Sequence, residues 1–515
     1  MLFKMKRTTL ILGLSFLLSK ILGLFRDTML AAKFGALGGD GAFNLDIYYA
    51  AFRLPDLLFN LLAYGVLSAG FVPIFVEIYK KRGDKEAFTF ANEILHVTLG
   101  SISFIAIIFV IIAPWIIPMF VPGFSNESLQ ITIKITRLMM ITPIIFSIGT
   151  IVSGINNSTD KFLPLALAPI SYNLGIIIGI LLWAQKYGVY GVALGVVLGA
   201  ILHSLVQLPS IFKSKYRYEW PKKWWTPKVK EMILISFPRI FGMSVQQIGL
   251  VISTVIASTL TLGSITIYNF AINIAALPVG LIGISTAIVS FSALSLHAAE
   301  SNMQAFAKVL RQGIASILVL LIPMSIGLYI LRLPIIKLLL ERGKFVPADT
   351  LATGQTVSFL LFGILFEGLI FIVARGFYAL KNTRIPVIAG IIAVAVHITT
   401  SYLFTIKMRW GTEGLAIAQS IAHLLNASIM TVLLSKKIGK TIINWHELIK
   451  FTISGATMAF ALIFIQNILF TSSSNLFIKL PTLIVFGATI YFFSLKLLKA
   501  KTKAWTFETK TKLLP

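Results

Sequence analysis

Residues 154–164 read GINNSTDKFLP, and residues 376–386 read GFYALKNTRIP. Both start on glycine, end on proline at the same spacing, and hold asparagine and lysine between. The pattern extends outward from this pair. PWIIPMFVPGF (114–124) is answered by PIIKLLLERGKF (334–345), and GVYGVALG (188–195) by GTEGLAIA (411–418). Pro55 is answered by Pro278, each in a Leu-Pro pair. The offsets are 220, 222, 223 and 223 residues. Chance supplies one such match; several in order at nearly one offset imply an internal duplication.

The surroundings of these motifs set the class. Of 515 residues, 57% are hydrophobic and 12% charged, and mean hydropathy is +0.89. A soluble chain of this length needs far more charge to cover its surface. Fourteen segments are long and apolar enough to cross a bilayer of about 30 Å. They begin with 8–33 and 44–79 and end with 447–470 and 476–499. Backbone amides in hydrocarbon need internal partners, and alternating ten-residue strands are absent, so the spans are helices. Several exceed 25 residues, which implies tilt, kinks or extension beyond the lipid. Residues 1–30 read as the first such helix, since the apolar run is too long for a cleavable signal and no small-residue site ends it.

The fold class is therefore an all-α polytopic membrane protein. An offset of about 222 residues contains six spans, an even number, so both copies enter the membrane in the same direction. The expected organisation is an N-terminal six-helix bundle over 1–212, a cytoplasmic amphipathic linker over 213–230, and a second six-helix bundle over 231–436. Residues 437–515 add two helices and a basic tail. Parallel repeats of this kind form transporters with a site between the halves.

The formal net charge is +26. With the N-terminus inside, 29 of the 45 lysines and arginines fall in inner segments, which puts both termini in the cytoplasm. The charge is thus a topology signal and a contact with anionic headgroups, not a nucleic-acid footprint. The linker, KSKYRYEWPKKWWTPKVK, mixes Trp, Tyr and Lys and reads as a segment lying on the inner surface. There is no cysteine, hence no disulfide or thiol chemistry. The histidines lack ligand spacing, and GxxxxGK[ST], GxSxG and HExxH are absent. No cofactor, metal or ATP hydrolysis is expected.

Charges inside the spans carry the functional signal, because each costs about 2.5–3.5 kcal/mol at mid-membrane. Lys20 lies near the middle of the first span, with Arg26 and Asp27 nearer its outer boundary, where they can be interfacial; Asp46, Arg53 and Asp56 lie in the second and Arg239 in the seventh. Asp46, Arg53 and Asn60 are seven apart and share one helix face, as do Lys20 and Asp27. Arg239, Gln246 and Ser253 form a third stripe, and Asn269 with Asn273 a fourth. One interpretation is a static network, with Asp27, Asp46 and Asp56 balancing Lys20, Arg26 and Arg53. The other is a hydrated cavity that grips an anion, the aspartates orienting the cations when it is empty. Glu367, at mid-depth in the tenth span, is a candidate proton or cation site or a partnered structural carboxylate. Arg375 reaches the inner boundary by snorkelling. Gly65, Gly70 and Pro73 in LAYGVLSAGFVPIF (62–75) allow a kink, close packing or a hinge.

SKILGLFRD (19–27), Asp46, FRLPDLL (52–58) and GVLSAGFVPIF (65–75) resemble the N-terminal signature of the MurJ (MviN) lipid II flippase family. GLIGISTAIVSFSALS (280–295) and RGFYALKNTRIP (375–386) are similar too. That family belongs to the multidrug/oligosaccharidyl-lipid/polysaccharide exporter superfamily. The resemblance implies a bacterial cytoplasmic-membrane protein; a monomer is the expected state. It would move a lipid-linked pyrophosphate peptidoglycan precursor to the outer leaflet by alternating access. It implies substrate-facing roles for Lys20, Arg26 and Arg53, with Asp46 among the cavity residues. The chain departs from the family at three places: Phe59 and Asn60 stand where arginines are usual, Tyr64 where glutamate is, and Asn273 where a cavity arginine is. Arg239 is the candidate replacement. Other readings are an exporter of a different polyprenyl-linked oligosaccharide, a drug exporter, a non-transporting membrane scaffold and a membrane-embedded transferase.

Overall fold

Among the described residues, every expected span falls largely on helical chain. The computed structural model describes the backbone of residues 2–39, 41–62, 70–212, 216, 218–469 and 475–500. Side chains are described over the same residues except 2–12, 42, 62, 237–246 and 467–469. Among the described residues there are α-helices with short 3-10 and π turns, and no strand.

The first of two units comprises residues 1–266 with 342–346. It contains α1 (Leu2–Phe34), α2 (Leu45–Leu62), α3 (Val72–Arg82), α4 (Asp84–Phe120), α5 (Asn126–Met139) and α6 (Ile141–Ser158). Then come α7 (Phe162–Leu182), α8 (Ala184–Tyr187), α9 (Val189–Leu205), α10 (Leu208–Phe212) and α11 (Pro227–Ser258). Its tightest seam joins α7 to α9. Gly175 and Gly179 face Gly199 and Gly195, and a Cβ on either α7 glycine would strike α9 backbone. Without side chains between them the two helices approach closely, which is how helices gain contact in lipid. α1 packs on the same α7, α2 on α5 and α6, and α11 on α2 and α4.

The second unit comprises residues 267–341 and 347–515. α12 (Ser264–Ala275) starts on the last residues of the first unit. It is followed by α13 (Ile284–Ala299), α14 (Met303–Leu340), α15 (Pro347–Ala379), α16 (Arg384–Ser401) and α17 (Gly411–Ile438). α18 (Trp445–Leu469) and α19 (Leu476–Leu497) pair with each other and lean on α14. α15 and α17 form the central pair of this unit.

The duplicated motifs adopt the same local structures in the two units. In GINNSTDKFLP, Asp160 takes φ +57°, and Lys161 N–H donates to the Asn156 carbonyl at 2.8 Å. In GFYALKNTRIP, Lys381 takes φ +54°, and Asn382 N–H donates to the Phe377 carbonyl at 2.9 Å. Each is a left-handed residue with the six-to-one closing bond of a helix C-terminus. Gly188 and Gly411, paired by the third motif, take φ +57° and +64°.

Eleven helical segments among the described residues are long and apolar enough to span a membrane, and Gln247–Ser258 and Ser264–Ala275 are shorter apolar helices. The segment 44–79 is α2 and α3, with residues 63–69, including Gly65 and Tyr64, outside the described residues. Gly70 is a close-packing site: a Cβ there would meet Met232 and Ser236 of α11. The segment 264–296 stays helical apart from a turn at Ala276, where Gly280 N–H donates to the Ala276 carbonyl at 2.9 Å, and passes through a π turn over 279–283 into α13. Pro278 has no N–H to continue the ladder. Large apolar side chains on the outside of α4, among them Phe104, Trp115 and Met119, are exposed, as lipid contact requires.

Candidate functional site

Arg26, Asp27, Arg53 and Asp46 of α1 and α2 are held by three separate sets of polar contacts, all inside the first unit. The first lies between α1 and α7. Gly23 leaves room for Asn173, whose Oδ1 would sit 3.8 Å from a Cβ there. Asn173 Nδ2 donates to the Ser19 carbonyl at 3.3 Å and the Pro169 carbonyl at 3.1 Å. Its Oδ1 accepts from Arg26 Nη1 at 3.3 Å. Arg26 Nε and Nη2 donate to Asp27 Oδ1 at 3.0 and 2.8 Å. The Arg26 side chain is 21% exposed, that of Asp27 6%. A guanidinium carries five N–H donors. Three are used, so about two of the five remain for a further partner. The guanidinium is thus fixed in orientation but not saturated.

The second set starts from Arg53 on α2. Its Nε donates to Thr254 Oγ1 on α11 at 2.7 Å, and Thr254 Oγ1 donates in turn to the Leu250 carbonyl at 3.0 Å. One turn on from Asp56, Asn60 Nδ2 donates to the Asp56 carbonyl at 2.9 Å and is half-buried. Phe59 packs its ring on Phe146, 4.3 Å between centroids, and Phe146 contacts Tyr172 and His203 in turn.

The third set is centred on Asp46, which is 3% exposed. Asn44 caps α2 by accepting from Asp46 N–H at 2.8 Å. The Asp46 carboxylate reaches across to the start of α12. Its Oδ2 accepts from Gly263 N–H at 2.7 Å. Its Oδ1 accepts from Thr266 N–H at 2.8 Å and Thr266 Oγ1 at 2.6 Å. A carboxylate on the open amides of a helix N-terminus is favoured by both hydrogen bonding and the helix dipole. Gly263 has φ +89° and lies against the Ala36 carbonyl, a position only glycine fills without strain.

Lys20 is exposed, with its Nζ 5.6 Å from the centroid of the Phe16 ring one turn away. The side chains of Arg239 and Gln246 lie outside the described residues. In the second unit, Asn273 is exposed, Asn269 and Glu367 are half-buried, and Arg375 lies 5.5 Å from the Phe291 ring centroid. Three partners were not anticipated from sequence: Asn173, Thr254 and Thr266. Each is a neutral residue in an apolar run, with no charge or spacing to mark it. Asn173 carried the one available hint, being the sole amide in the interior of α7. Among the described residues no group of three or more His, Asp or Glu suits a metal ion.

Residues 33–486 match the sequence profile of the family described as Lipid II flippase MurJ. A protein of Bdellovibrio bacteriovorus named probable lipid II flippase MurJ is 29% identical over 475 residues, covering 89% of this chain and 88% of its own. One of Vibrio cholerae with the same name is 30% identical over 446 residues, covering 83% and 82%. A solved structure of lipid II flippase MurJ in an inward closed conformation aligns with TM-score 0.79 and 26% identity, over 95% of this chain and 98% of that one. An inward-facing multidrug resistance MATE transporter of the MOP superfamily aligns with TM-score 0.69 over 82% and 94%, at 14% identity, a likeness of fold alone.

Proposed function

This chain belongs to the lipid II flippase MurJ family, and we propose that it moves a lipid-linked pyrophosphate peptidoglycan precursor from the inner to the outer leaflet. It is a multi-pass membrane transporter rather than an enzyme. The observation that carries the reading on this chain is Arg26. A guanidinium held in a span by Asp27 and Asn173, with donors to spare, is prepared for a second, anionic partner. Pyrophosphate oxygens fit that role, while the polyprenyl tail stays in lipid. Arg53 adds positive charge on α2 and Lys20 on α1, six residues before Arg26; Arg239, Gln246, Asn60 and Asn273 complete the proposed substrate-facing set. Asp27 and Asp56 orient or release these cations as access alternates, while Asp46 holds the start of α12 rather than a cation. Two parallel six-helix repeats, 1–212 and 231–436, would rock about the substrate, with both termini in the cytoplasm and one chain sufficing. Glu367 is assigned to a proton or cation that couples to the cycle.

The test is complementation of a bacterium depleted of its own flippase, with lipid II exposure on the outer face as the readout. Wild type restores growth and exposure. Arg26→Ala and Arg53→Ala, expressed to wild-type level, lose both. Growth at wild-type rate with either variant overturns the assignment, and so does wild-type growth with Arg239→Ala for that residue. One observation favours a second reading, export of another polyprenyl-linked oligosaccharide. Phe59, where the family usually has arginine, offers a ring packed on Phe146 and no charge. Failure of wild type to complement, with rescue of a different lipid-linked glycan pathway, would select that reading.

A further inference from the structure

The segment between α10 and α11 is bolted to the first half of α4. Tyr216 donates to Asn92 Oδ1 and sets its ring edge-on to Phe88. Burial, with Tyr218 beside it, pushes the Tyr216 phenol up to about 12, so it stays protonated. His96 bonds the Asn92 carbonyl through Nδ1 at 2.7 Å and Tyr218 Oη through Nε2 at 2.8 Å. Its ring also meets Trp220 at 4.6 Å and Trp224 at 5.9 Å. Thr226 caps α11 and donates to Glu93 Oε2 at 2.7 Å, and Lys228 pairs with Glu86 at 3.7 Å.

With its inner edge so engaged, the segment turns another face outward. Trp220 is 67% and Trp225 65% exposed, and Tyr218, Trp224, Lys222, Lys223 and Lys230 are exposed with them. From Tyr218 to Glu231 there are four lysines against two glutamates. The depth of this face can be read from α4. Trp224 reaches Gly100, where a Cβ would lie 3.9 Å from its ring. From there Phe104, Ile107, Ile111, Trp115 and Met119 run up one exposed face of α4. Gly100 to Met119 spans about 28 Å at the helical rise. That matches a hydrocarbon core of about 30 Å. The Trp and Lys cluster therefore sits where hydrocarbon gives way to headgroups, the level that amphipathic rings and lysines favour.

We propose that residues 218–230 form a docking site for anionic phospholipid headgroups, with Lys222, Lys223 and Lys230 on lipid phosphates and Trp220, Trp224 and Trp225 at the acyl boundary. Zwitterionic lipid satisfies the rings but not the lysines. Lipid engaged there holds the entry to α11, the helix that bears Thr254, the hydroxyl bonded by Arg53.

The full chain, with Trp115, Trp183, Trp410, Trp445 and Trp505 changed to Phe, is placed in nanodiscs containing brominated phosphatidylglycerol or brominated phosphatidylcholine at equal mole fraction. Quenching of the three remaining tryptophans by the anionic lipid should exceed that by the zwitterionic one by about twofold or more, and the excess should fall as salt screens the lysines. Lys222→Ala/Lys223→Ala/Lys230→Ala should equalise the two, and the triple Lys→Arg variant should restore the difference. Equal quenching of the parent, a preference that survives in the alanine variant, or no quenching by either lipid, as a water-facing or protein-covered surface gives, overturns the proposal. The lysines are exposed, so the alanine variant should elute and unfold like the parent.

Discussion

Replacing Asp46 tests how the start of α12 is held. The carboxylate is buried and accepts from Gly263 N–H, Thr266 N–H and Thr266 Oγ1 at 2.6–2.8 Å. In Asp46→Ala the two amides and the hydroxyl lose that acceptor. A buried donor left unsatisfied costs about 1–3 kcal/mol. The hydroxyl can turn to another acceptor, so the two amides dominate. Against them stands the desolvation of the carboxylate, which the variant no longer bears. The net loss is about 2–4 kcal/mol of local stability. Asp46→Asn keeps one oxygen but turns an NH2 toward a donor, and should lose about half as much. Hydrogen–deuterium exchange of peptides covering 263–266 reads this directly, because local opening governs amide exchange. Two to four kcal/mol corresponds to roughly 30- to 1000-fold faster exchange for alanine, with asparagine between it and wild type. Wild-type protection in the alanine variant would refute the reasoning, since these amides would then be held by something other than the carboxylate. Equal loss in both variants would show that negative charge, rather than acceptor count, does the holding.

Three further outcomes follow from the same geometry. Asp27→Ala leaves the partly shielded Arg26 without its carboxylate and should destabilise the protein by about 3 kcal/mol, seen as faster thermal inactivation in detergent; the double variant Arg26→Met/Asp27→Leu should recover much of that loss. Gly179→Ala should cost about 1–3 kcal/mol, because its Cβ meets Gly195 backbone, whereas Gly13→Ala on α1, with nothing within 4 Å, should be neutral or gain up to about 1 kcal/mol by helix propensity; paired melts compare them. Arg53→Lys keeps the charge but has no Nε to set on Thr254, so it should retain less transport than wild type and more than Arg53→Ala in the lipid II exposure assay.

The departures from the sequence-based reading have a common form. Lys20 and Asp27 share a helical face by their spacing of seven, yet Asp27 is buried and Lys20 exposed. Periodicity gives the direction of a side chain around its helix, not how far along that face a neighbour extends. α7 meets α1 through Asn173 at Arg26 and Ser19, whereas Lys20, one residue on from Ser19, stays exposed. Asp46 shows the same limit. A count of charges sets it against a cation, whereas the folded chain sets it on two amides and a hydroxyl.

What the amino-acid order determined alone was everything local or compositional. The helical class follows from apolar runs that must satisfy their own amides. The duplicated plan follows from motifs at one offset, and their equivalence reaches backbone torsions, as Asp160 with Lys381 and Gly188 with Gly411 show. Tertiary structure alone decided the partners: Asn173 for Arg26, Thr254 for Arg53, Gly263 and Thr266 for Asp46. Those pairs are separated by 147 to 220 residues. A neutral amide, hydroxyl or backbone N–H carries no mark of its role until packing removes water and leaves it as the acceptor or donor within reach.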